Sequence, residues 1–118
     1  KMSKLDDLPI EETTIDLLKI DTIGYEKFVL FGASLLLKKC KVVQIPIGGT
    51  YHKLSNYYGY EFKEIINFLQ KNNFRIYSYD QKKSLSEILN YKIPARGDLL
   101  AIADINNFIT KTGWVISC

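Results

Sequence analysis

Lys19, Asp21 and Glu26 fall in one short stretch, "KIDTIGYE" (Lys19 to Glu26), where an apolar run gives way through Gly24 to a helical pattern. Charged residues at such a strand-to-helix junction occupy the ligand-facing edge of an open α/β sheet. A carboxylate there, as at Asp21, can orient a hydroxyl or accept its proton. The same residue just ahead of a helix also caps free backbone N–H groups. Lys19, two residues earlier and so on the same strand face, can steer an anionic ligand or pair with Asp21, or simply snorkel from the sheet edge. Glu26 is favoured in a first helical turn by the helix dipole alone. The single histidine, His52, lies in the loop "TYHKLSNYYG", where it can serve as a general base or stay a solvated side chain.

These residues need a sheet to hold them. "TIDLLKID" has strand length and β-branched Ile15 and Ile20, predicting a strand near residues 15–21. "YEKFVLFGASLLLKK" has helical spacing over 25–39 and is apolar on more than one side, so that helix is expected to be buried. "CKVVQIPIGG" reads as a short strand, 41–46, stopped by Pro46 and the glycines behind it. Phe62, Ile65, Ile66 and Leu69 stand at i, i+3, i+4 and i+7, the mark of an amphipathic helix over 60–72. "FRIYSYD" alternates as a half-buried strand at 74–79, and "DLLAIADI" suits a last strand at 98–104. "SLSEILNYKIPARG" reads as a helical turn and loop. Residues 1–14 form a polar lead-in loop around Pro9, and 107–118 a tail without a clear pattern. Strands alternating with helices argue for a mainly parallel α/β sheet.

The chain has 118 residues, the size of one domain, with a net charge of +3 and basic residues dispersed among acids, which gives no nucleic-acid footprint. No run is long and apolar enough for a membrane span, and no signal-peptide layout opens the chain. Cys40 and Cys118 have no metal-ligand spacing; their simplest reading is a reducing, cytoplasmic setting. No metal site is expected. No glycine-rich phosphate loop precedes any helix.

"LDDL" (Leu5 to Leu8), "IDLLKIDTIGYEKFVLFGASLLL" (Ile15 to Leu37), "IGGTY" (Ile47 to Tyr51) and "EIINFLQKNNFRIYSY" (Glu64 to Tyr79) together resemble the C-terminal half of an FkbM-type methyltransferase. That family has a Lys-x-Asp-x-Glu-Gly-x-Glu motif at a strand end, a helix with a Leu-x-Gly-Ala element, then a strand, a loop and an amphipathic helix. Two carboxylates of the pattern are replaced here, by Ile23 in the motif and by Pro46 at the end of the next strand.

The resemblance implies half of a Rossmann-like class I methyltransferase sheet, mostly parallel, with flanking helices and the last strand antiparallel between the second and third strands of this chain. On that reading residues 1–118 are a single partial domain that begins after the third strand of the full sheet. S-adenosylmethionine would be the cofactor, held mainly by the N-terminal half and not by this segment alone. The acceptor would be a small molecule, a hydroxyl on a sugar-like or similar compound. Asp21, Lys19 and His52 become the catalytic candidates, and Asp21, Gly24 and Glu26 the cofactor-edge candidates. Tyr51, Tyr57, Tyr58 and Tyr60 could stack on a sugar-like acceptor or cover the end of the sheet, while Trp114 reads as a packing anchor. The expected partners are the N-terminal half of the same domain, or another chain, at the free edge of the first strand. The replaced carboxylates leave a second reading open, a degenerate domain kept as a binding or assembly module.

Overall fold

A computed structural model describes residues 2–22, 24–48, 59–89, 94 and 96–117, with the backbone alone at residue 96. Ile23, Tyr51, His52, Tyr57, Tyr58 and Cys118 lie outside the described residues.

One six-stranded sheet organises the chain: β1 (Leu18–Lys19), β2 (Val42–Gly48), β3 (Arg75–Tyr79), β4 (Ser84–Glu87), β5 (Arg96–Ile102) and β6 (Val115–Ile116), in the order β1-β2-β5-β3-β4-β6. β1 runs parallel to β2, whereas β5 is antiparallel to both β2 and β3, between which it lies. The last of the four expected strands is thus reversed and inserted where the resemblance puts it. The expectation of a mainly parallel sheet gives way to a mixed one. β4 folds back on β3 as an antiparallel hairpin, and β6 joins β4 in parallel.

Helices α1 (Glu26–Phe31) and α2 (Phe62–Lys71) cover one face, with a 3-10 turn at Leu36–Lys39. Their Leu30, Leu37, Ile65 and Leu69 meet Val43, Ile45, Leu99 and Ile76 of the sheet in the larger core. On the second face α3 (Ile105–Thr112) sets Ile105, Phe108 and Ile109 against Tyr77, Leu85, Leu100 and Ile102. Tyr77 is therefore buried like Ile76, not turned to water as strand alternation suggests.

Five local expectations change. The strand at 15–21 shrinks to Leu18–Lys19 plus an isolated bridge from Ile15 to Cys40. The long helix over 25–39 breaks after Phe31, because Asp6 donates its N–H to the Gly32 carbonyl (3.0 Å) and its carboxylate takes the N–H groups of Leu35 (3.0 Å) and Leu36 (2.8 Å), starting a new turn. β2 continues through Pro46 to Gly48. The Gln44 carbonyl accepts from Ile20 N–H, so alternate residues Gln44 and Pro46 face β1, and that pairing has ended at Gln44; the proline's missing donor costs no ladder bond. "SLSE" is strand β4, because Asp80 closes the preceding turn by accepting from the N–H groups of Lys82 (2.9 Å) and Ser84 (3.0 Å). The tail also acquires order. Asp104 caps α3 through Asn107 N–H (3.1 Å), and Gly113 ends it at φ 75°.

Tyr77 carries one energetic flaw. Its hydroxyl is buried without a hydrogen-bond partner among the described residues, and burial pushes the phenol above its ordinary pKa. A hydroxyl desolvated in this way costs about 1–3 kcal/mol. Tyr77→Phe is expected to raise stability by about 1 kcal/mol, read as a higher urea midpoint at unchanged slope; a loss of stability would mean that the hydroxyl is bonded in solution.

Candidate functional site

The carboxyl ends of β1, β2 and β3 point to one edge of the sheet, together with the amino end of the reversed β5. Ligands of open α/β sheets bind along such an edge. Lys19 closes β1 and Asp21 follows two residues on; both side chains are exposed.

The link from β1 to α1 is a tight polar turn. Glu26 is only 2% exposed. Its carboxylate accepts from Thr22 Oγ1 at 2.8 Å and from Gly24 N–H at 3.2 Å. Gly24 adopts φ 95°, the left-handed region that favours glycine, and its carbonyl accepts the Tyr60 hydroxyl at 2.8 Å. Burial pushes the Tyr60 phenol up to about 12, so this tyrosine stays a donor across the physiological range. Glu26, Gly24 and Tyr60 therefore spend their polar groups on the segment that follows Asp21. Tyr60 also meets Phe28 edge-on at 5.8 Å, which makes it a cover over the end of the sheet and not a free stacking platform. Lys27, bonded to Glu64 at 3.0 Å, ties α1 to α2.

Residues not singled out in the sequence extend the polar edge. Gln44 stands opposite Lys19 in the β1–β2 register and donates to Asp98 (2.6 Å) and Tyr79 (3.5 Å). Burial and the nearby Asp98 push the Tyr79 phenol up, against the Gln44 bond that lowers it. The sequence did carry a signal: glutamine is the one polar side chain within the otherwise apolar "VVQIPI". Tyr79 and Asp98 also line a hollow of about 380 Å³ with Ser78, Ser84 and Ser86. Asp98 on β5 lies two strand spacings from β1, roughly 10 Å, with Gln44 of β2 between them.

The structure thus leaves Lys19 and Asp21 exposed at the end of β1 and draws Glu26 and Gly24 into the fold. His52 lies outside the described residues. Trp114 packs on Tyr79 and Phe108 at 5.4 and 5.5 Å, the anchor expected of it. The Cys40 thiol is buried against the Leu36 carbonyl, and burial raises its pKa. Among the described residues no group of three or more His, Cys, Asp or Glu could hold a metal ion, and no helix is long and apolar enough to cross a membrane.

Against protein-family models, the chain matches the methyltransferase FkbM domain over residues 2–76. The match runs from the lead-in loop through β1, α1, β2 and α2 into β3. No curated protein and no solved structure gives a match.

Proposed function

The chain belongs to the FkbM methyltransferase domain family, and from that premise we propose that it is the C-terminal portion of a methyltransferase acting on a hydroxyl of a sugar-like or other small molecule. Residues 1–118 form one partial domain on this reading, a half of a Rossmann-like sheet. The observation that carries it is the coincidence of the family match with the β1-α1-β2-α2-β3 order, completed by β5 reversed between β2 and β3.

S-adenosylmethionine is the expected methyl donor, and the described residues do not fit it as a complete site. A ligand of this size needs several placed polar groups. The edge offers the exposed Lys19 and Asp21, while the Glu26 carboxylate and the Gly24 N–H and carbonyl are already bonded within the turn. No step through the donor is assigned to this chain. Its part is to present the acceptor: Asp21 orients the hydroxyl and takes its proton, Lys19 steers any anionic group, and His52 is a second, weaker base.

Calorimetric titration tests this division of labour. The 118-residue chain is expected to show no micromolar binding of S-adenosylmethionine, and a protein extended at its N-terminus is expected to show it. Micromolar binding by the chain alone, about 8 kcal/mol, would mean that the donor site lies within these residues.

Pro46, buried in β2 where many family members carry a glutamate, favours the second reading, a degenerate domain serving assembly. β1 ends the sheet, and Leu17 beside it is 52% exposed. On that reading, self-association persists in a chain extended at its N-terminus that transfers no methyl group.

A further inference from the structure

The sheet splits at one point along its polar edge. β3 and β5 pair from Arg75 opposite Ile102 to Tyr77 opposite Leu100. Beyond that point β3 goes on pairing with β4 to Tyr79, and β5 goes on pairing with β2 to Arg96. Ile76 and Asp80 bond to the β4 side through their backbones, so the odd-numbered residues of β3 face β5. Tyr79 and Asp98 are the next pair in that alternation, and there the two strands have parted. The hollow of about 380 Å³ lies in the split, with Ser78, Tyr79 and Asp80 on one side and Gly97 and Asp98 on the other. Gly97 takes φ 109°, and a glycine within a strand marks a bulge or the close approach of another group.

We propose that this split is a subsite for the acceptor, holding a neutral sugar ring whose adjacent hydroxyls bond to Asp98 and Tyr79. The ligand's class rests on the methyltransferase reading; its charge and contacts rest on these side chains. Asp98 Oδ2 accepts from Gln44 at 2.6 Å, and Oδ1 has no partner among the described residues. A carboxylate accepts through both oxygens, so Gln44 holds Asp98 in place and leaves Oδ1 for a ligand hydroxyl. The Tyr79 oxygen accepts from Gln44 at only 3.5 Å, and its own O–H remains to donate. Burial and the nearby Asp98 push that phenol above its ordinary pKa, which keeps the proton on it. One acceptor beside one donor matches two neighbouring hydroxyls, each of which both donates and accepts.

Charge selects among sugars. Asp80, the other acid of the hollow, spends its carboxylate on the N–H groups of Lys82 and Ser84. Among the described residues that line the hollow none is basic. A carboxylate or phosphate on the ring would therefore meet Asp98 without a compensating cation, and like charges placed together weaken binding. Neutral rings are favoured. Asp98 is roughly 10 Å from β1, so one glycoside can reach from the hollow towards Asp21.

The test is an NMR titration of the full 118-residue chain, read at the backbone amide of Gly97. The probes are the methyl glycosides of glucose, galactose and mannose, which differ in the arrangement of their hydroxyls, together with their uronates and adenosine. At least one neutral glycoside is expected to shift the Gly97 amide saturably, with a Kd on the order of 1 mM. The uronate of the same sugar should bind about tenfold more weakly. In Asp98→Asn the single oxygen goes to Gln44 and an amide donor turns to the hollow. That variant should bind the glycoside about tenfold more weakly and the uronate equally well, with melting unchanged; a merely structural Asp98 would not move this ratio. Tyr79→Phe, which keeps the packing on Trp114, should weaken both ligands alike, by about fivefold. No saturable shift with any neutral glycoside, or a uronate bound as well as its parent by the unaltered chain, overturns the proposal. So does adenosine binding as tightly as the glycosides, which would give the hollow to a nucleoside ribose. The titrations contain no methyl donor. Binding through Asp98 without methyl transfer by the protein extended at its N-terminus would end the methyltransferase reading and keep the subsite, whereas methyl transfer without this binding would end only the subsite.

Discussion

Asp21→Asn is expected to lower methyl transfer by about a hundredfold in the complete enzyme, the lower end of what a positioned general base contributes. Asp21 lies just past β1 with its side chain exposed at the carboxyl edge of the sheet. Asparagine keeps the size and a carbonyl acceptor but cannot take a proton. The loss should fall on kcat, with KM for the acceptor little changed, because the missing interaction is one made as the proton leaves. An exposed, nearly isosteric change of this kind shifts stability by no more than about 0.5 kcal/mol, so a folding defect would not imitate it. His52→Ala is expected to cost far less. If His52→Ala proved the more damaging change in a folded enzyme, the loop histidine would be the base and Asp21 an edge residue.

How far such a residue is visible in the sequence depends on whether its partners are local. The exposed place of Lys19 and Asp21 at the end of β1 was legible because strand alternation and a following glycine are both short-range signals. α2 was legible for the same reason, and Phe62, Ile65, Ile66 and Leu69 are all buried as their spacing requires. The break after Phe31 was not legible, because Asp6, about thirty residues away in sequence, supplies the cap that makes it worthwhile. β4 hid behind a turn without glycine. Lys83 takes φ 61° there, a region uncommon for lysine, held by the carboxylate of Asp80. α3 did announce itself, through Asp104 and Gly113 at its two ends, a cap pattern that the mixed residues between them obscured.

Glu26 shows the limit of dipole reasoning at the site itself. An acid in a first helical turn is favourable whichever way it points, and only the fold reveals that this one turns inward. Glu26→Ala is expected to destabilise the protein by about 3 kcal/mol, the cost of stranding one buried donor and losing a second, part-buried hydrogen bond, together with the cavity left behind. The donors are Thr22 Oγ1 and Gly24 N–H. Against a total stability of about 5–15 kcal/mol, that is a large share, visible as a lower urea midpoint with unchanged slope. Glu26→Gln keeps the shape and one acceptor oxygen, and should cost about 1 kcal/mol. The pair of variants separates a structural role from a ligand role. If stability falls in this graded order, Glu26 works by holding the segment that follows Asp21, and any loss of methyl transfer in Glu26→Gln should be no greater than the loss of folded protein. Were Glu26→Gln fully stable yet poor at binding S-adenosylmethionine in the complete enzyme, the carboxylate would have to leave Thr22 and Gly24 to meet the donor, and the turn would be a moving part of the site.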